Sequence, residues 1–126
     1  MMRSFFIVWL LAPLCLHAQG AAYPSCSGGI LFEFQVDAQA RFIADSTFTV
    51  RPTASVRNPP NLVQFVVDTL GTIVPGSFRV IRVTDRALVL EAKQISERWR
   101  YRPAMSAGHA VCQLIQAPVD ASAPHP

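Results

Sequence analysis

Leu62-Val63-Gln64-Phe65-Val66-Val67-Asp68-Thr69-Leu70-Gly71 is the stretch on which the fold depends. Successive side chains of a strand point to opposite faces. Val63, Phe65 and Val67 therefore share one face, and Leu62, Gln64 and Val66 share the other. Asp68-Thr69-Leu70-Gly71 reads as a turn, with Gly71 free to take positive φ. Thr72 to Val83 returns as a second strand, interrupted at Pro75-Gly76. Beyond the break, Phe78 and Val80 alternate with Arg79 and Ile81. A proline and a glycine at that point suit an edge strand or a bulge.

Past Asp85 the period changes. Leu88, Ala92, Ile95 and Trp99 recur at helical spacing and predict one buried helix face. Asp85 near the start suits the helix dipole, as do Arg98 and Arg100 near the end, and Pro103 stops the helix. Ala104 to His109 reads as a loop containing Gly108, and Ala110 to Ala117 as the last strand, ended by Pro118.

Upstream, Ile30, Phe32, Phe34 and Val36 alternate with Leu31, Glu33, Gln35 and Asp37, which predicts a half-buried strand from Ile30 to Asp37. Arg41 to Val50 is less regular. Pro52, Pro59 and Pro60 make Arg51 to Asn61 an extended connection. The expected class is α+β: a small antiparallel sheet with one main helix packed on one face, ordered strand–strand–helix–strand, plus an extra N-terminal strand.

The chain has 126 residues, enough for one small domain. That leaves no room for a doubly wound nucleotide-binding fold or a (β/α)₈ barrel. The net charge of +3 is too mild to argue for nucleic acid. Arg79, Arg82, Arg86, Arg98, Arg100 and Arg102 gather around the helix and the strand before it. They read as a solvated face or, alternatively, as a surface for a polyanion or lipid headgroups.

Residues 1–19 read as a signal peptide. Arg3 gives a positive start, and the apolar run from Phe5 to Leu16 falls short of the roughly 20 residues a spanning helix needs. Cleavage is expected after Ala18 or, second, after Gly20. An uncleaved anchor and lipidation at Cys15 stay open as alternatives. Residues 20–60 form an entry segment, with Tyr23 to Gly29 flexible. Residues 61–120 form the domain, and 121–126 a disordered tail. Export implies an oxidising compartment, where Cys26 and Cys112 could pair or remain two free thiols.

Trp99-Arg100-Tyr101-Arg102-Pro103-Ala104 follows the helix, then Gly108-His109-Ala110-Val111, then Gln116-Ala117-Pro118-Val119. Together with the opening stretch, these pieces resemble the C-terminal domain of TonB energy transducers. The pattern is F-V-V-D-x-x-G, a helix, W-x-[FY]-x-P-A, a glycine followed by a small residue and valine, and a strand ending in P-V. The chain resembles a secreted variant, lacking the family's usual membrane helix and Pro-rich spacer, with Asp120-Ala121 where the last strand usually closes on an aromatic.

The resemblance implies a periplasmic domain that binds a TonB-box-like segment of an outer-membrane receptor as an added strand, possible homodimers through edge strands, and only an indirect link to the membrane. Val111, Cys112, Gln113, Leu114, Ile115, Gln116 and Ala117 would be the partner-binding edge, where unpaired backbone groups accept another chain. Ile115→Pro is the expected way to remove a donor from that edge. Asp68, Gly71, Trp99, Tyr101, Pro103, Ala104 and Gly108 would be structural, Trp99 and Tyr101 closing the helix against the sheet.

The competing reading is a structural envelope module. Its edge would be covered by residues 30–37, held there by a Cys26–Cys112 bridge. No catalytic residue, cofactor or metal is expected. His109 lacks partners at ligand spacing, and no nucleophile motif is present.

Overall fold

The computed structural model describes residues 23–45, 47–54 and 57–121. The expected leader, with Cys15 and both cleavage positions, lies outside the described residues, as do positions 122–126 of the expected tail. Strands β1 (Ile30–Leu31), β2 (Arg41–Phe42), β3 (Val50–Pro52), β4 (Asn61–Val67) and β5 (Arg79–Arg82) precede helix α1 (Arg86–Ile95). After it come β6 (Tyr101–Arg102), β7 (Ala104–Ser106) and β8 (His109–Ala121). The architecture is α+β, a sheet of several strands with one main helix.

The centre is an antiparallel pair. β4 and β8 run from Asn61 opposite Val119 to Val67 opposite Gln113, and β5 lies on the far side of β4. Alternation sorts the two faces. Val63, Phe65, Val67, Ala117 and Val119 pack with Leu88, Ala92 and Trp99 on the helix side. Val66, Val74 and Cys112 pack with Cys26 on the other. Full burial of a side chain such as Phe65 or Trp99 is worth about 1.5–3 kcal/mol. Phe65 and Phe42 both lie edge-on or tilted against Trp99 and Tyr101, with ring centroids 5.5–6.1 Å apart.

The turn after β4 is built by one carboxylate. Asp68 accepts from the N–H of Leu70 (2.9 Å), the N–H of Thr72 (3.0 Å) and the hydroxyl of Thr72 (2.6 Å). Gly71 sits at φ +81°, where a Cβ would overlap the Tyr101 carbonyl oxygen. The Gly71 carbonyl accepts from the Tyr101 N–H at 2.8 Å. This close approach locks the turn onto the segment after the helix. At the expected interruption, the Ser77 hydroxyl takes over as partner. It accepts from the Val66 N–H and donates to the Val74 carbonyl.

Asp85 caps α1 by accepting from the Leu88 N–H. Buried Asn61 ties that cap to the sheet: its side-chain oxygen accepts from the Thr84 N–H and hydroxyl and from the Asp85 N–H. The helix ends at Ile95, and Ser96–Arg98 form a 3-10 turn. Trp99 is therefore extended rather than helical, yet fully buried.

Three further expectations are corrected. The predicted strand over residues 30–37 pairs only at Ile30 and Leu31. It breaks because the Gln35 side chain accepts the Phe32 N–H and closes a 3-10 turn at Glu33–Gln35. The predicted loop over residues 104–109 is a hairpin: β7 turns into β8 through Ala107 (φ 49°) and Gly108 (φ 78°). Two positive φ values make it the two-residue turn that matches strand twist. The last strand does not stop at Pro118. Pro118 faces Leu62, a position where the ladder to β4 needs no N–H, so the strand continues to Ala121.

Candidate functional site

β8 has neighbours on both sides. β4 covers one side along residues 113–119. On the other side, β1 runs parallel beside Cys112 and Gln113, and β3 runs antiparallel beside Val119, Asp120 and Ala121. The last strand is thus interior, not outermost. What remains is a gap: among the described residues no strand pairs with the outer side of residues 114–117.

Which backbone groups enter that gap follows from pairing parity. Val66 spends its N–H on Ser77 and its carbonyl on Val74, both away from β8. Its partner Leu114 therefore turns its own polar groups outward, its N–H to the Leu31 carbonyl of β1 and its carbonyl into the gap, and Gln116 two residues on turns both of its groups outward. The Pro118 carbonyl agrees, since it accepts from the Thr53 N–H on the outer side. Ile115 points the other way, into the ladder with Phe65. A proline at 115 would break the core pair, so the substitution that removes an outward donor is Gln116→Pro.

The gap has an aromatic shelf. Phe32 and Phe34 stack at 5.8 Å and remain 47% and 84% exposed. With Glu33, Leu114 and Gln116 they line an open hollow of about 280 Å³. Sequence reasoning placed both rings on a buried strand face. The signal it missed was Gln35, whose side chain reaches back to close the turn that turns them out.

The other predicted edge residues have duties within the fold. Val111 pairs with Ala104 in the hairpin. Cys112 is bonded to Cys26 in a disulfide spanning 86 positions. Gln113 is buried, and its side-chain oxygen accepts the Ala40 N–H at 2.7 Å, which draws the entry segment across to the helix face. Leu114 and Ile115 are half-buried, Gln116 is exposed and Ala117 is buried. Asp68, Gly71, Trp99 and Tyr101 meet in the turn and core described above. Pro103 is half-buried, Ala104 is buried and Gly108 is in the hairpin turn.

Burial pushes the Tyr101 phenol well above its ordinary value. The Thr47 N–H and hydroxyl hold the exposed Asp45 carboxyl below its ordinary value. Among the described residues no three His, Cys, Asp or Glu side chains gather so as to hold a metal ion. No helix among them is long and apolar enough to cross a membrane.

The arrangement defines a small α+β domain with a disulfide-tied N-terminal arm and a short stretch of free strand edge. Compared with known proteins, the chain matches no family model and no curated protein.

Proposed function

We propose that the chain is a periplasmic, TonB-like interaction domain that takes up a partner segment by strand addition, in the service of outer-membrane transport. The order strand–strand–helix–strand in β4, β5, α1 and β8 supports the family reading. So does the packing of the Asp68–Gly71 turn against the Tyr101 segment. The observation that carries the functional reading is the gap along residues 114–117, with the Leu114 carbonyl and the N–H and carbonyl of Gln116 facing outward beside the Phe32–Phe34 shelf. A short segment laid there would gain backbone hydrogen bonds from the edge and an apolar contact from the rings.

A second reading has its own support. The Cys26–Cys112 disulfide holds β1 on the same edge, as a self-covered structural module would require. The two readings separate in one experiment. A TonB-box peptide is titrated into the disulfide-bonded protein and followed by amide NMR. Shift changes centred on residues 114–117, lost in Gln116→Pro, support the interaction domain. No change on β8 supports the structural module.

A further inference from the structure

The sheet ends on its other side at β5, and nothing among the described residues pairs with its outer side. All four residues of β5 are exposed, with Val80 at 42% and Ile81 at 48%. Val63 directs its backbone groups to Ala117 on β8, so its partner Val80 must direct its own N–H and carbonyl to the free side.

The register adds a second observation. Arg79 stands opposite Gln64, Val80 opposite Val63, and Arg82 opposite Leu62, with an irregularity between Leu62 and Val63. In a regular strand, residues 79 and 82 would lie on opposite faces. Here the bulge places both arginines on the face of Leu62 and Gln64, away from the helix. Neither has an ion-pair partner among the described residues. The edge thus combines a free backbone donor and acceptor, exposed apolar side chains and two uncompensated cations on one face.

We propose that β5 is a second strand-addition site, whose occupant is an extended segment of another protein with acidic residues alternating with apolar ones. Acidic side chains of the added strand would fall beside Arg79 and Arg82, while its backbone pairs with Val80. A second copy of this chain brings no acidic side chain on β5 to meet Arg79 and Arg82. This site is independent of the one on β8, because the two lie on opposite sides of the β4–β8 pair.

The test uses the disulfide-bonded protein and two eight-residue peptides, one alternating glutamate with valine and one alternating lysine with valine. Amide NMR is expected to show the acidic peptide shifting residues 79–83 and the basic peptide leaving them unmoved. Arg79→Glu with Arg82→Glu, a pair of exposed substitutions, should weaken the acidic peptide about tenfold and admit the basic one. Val80→Pro should abolish binding of the acidic peptide by removing the outward donor. Equal binding of the two peptides, shifts confined to residues 114–117, or binding to vesicles of phosphatidylglycerol that the acidic peptide cannot displace would each overturn the proposal. Gln116→Pro, expected to leave β5 binding intact, separates failure here from failure of the β8 reading.

Discussion

The two long sides of the β4–β8 pair are protected in different ways. Beyond β8, the chain covers its own edge: β1 and β3 occupy the ends, a disulfide fixes the first of them, and the described residues leave only 114–117 open. Beyond β4, none of the described residues covers the four-residue β5, and protection falls to exposed arginines and a bulge. Both devices are known ways to keep free strands from pairing indiscriminately. Self-pairing excludes partners from all of that edge except residues 114–117 until the arm moves. Charge excludes only partners of the wrong sign. The difference suggests selectivity by access on one side and by electrostatics on the other.

The strongest way to break this contrast is to release the arm. Replacing Cys26 and Cys112 by serine removes a cross-link spanning 86 positions, expected to lower unfolding free energy by about 4–5 kcal/mol. Urea unfolding measures the loss. Amide exchange should quicken at residues 112–117 and hardly change at β5; equal quickening on both sides would show that the sides are not protected independently. Gly71→Ala is next. A Cβ there meets the Tyr101 backbone at positive φ, and about 2–4 kcal/mol of destabilisation is expected. Because Gly71 holds the turn after β4 against Tyr101, and β4 pairs with both β5 and β8, exchange should rise across the whole sheet.

Alkaline pH probes the join between arm and core, where Phe42 of β2 packs on Tyr101. The Tyr101 phenol is raised by burial, so its contribution is fully present below the ordinary value of 10.0 and is lost as pH climbs towards the raised one. Stability should therefore fall above about pH 10, and less steeply in Tyr101→Phe. The smallest stability effect is at Phe34, which is 84% exposed. Phe34→Ser should change stability by under about 0.5 kcal/mol yet weaken any peptide bound beside residues 114–117. An unchanged affinity would remove the aromatic shelf from the site.

Much of the core was legible because local pattern and tertiary packing agree there. The alternation of Leu62 to Val67, the break at Pro75-Gly76 and the helical spacing of Leu88 and Ala92 each recur as buried or turned positions. Trp99 was rightly placed in the core though not in the helix. The entry segment was harder, since its contacts are non-local. Nothing near Arg41 signals pairing with Arg102, and nothing near Val50 signals pairing with Ala121. Phe32 and Phe34 obeyed strand alternation but are stacked outside, because Gln35 closes a local turn first. Pro118 looked like a strand end, but parity leaves its missing N–H without consequence.

The Cys26–Cys112 link also fixes an order of events as the chain is made. Cys26 is made early, while its mate trails by 86 positions. β8, which bonds with β1, β3, β4 and β7, arrives last of the strands. Nearly all of the described residues must therefore be made before the sheet has a middle, and until then Cys26 lacks Cys112 as its partner. Closure of the sheet and closure of the disulfide thus wait on the same late strand.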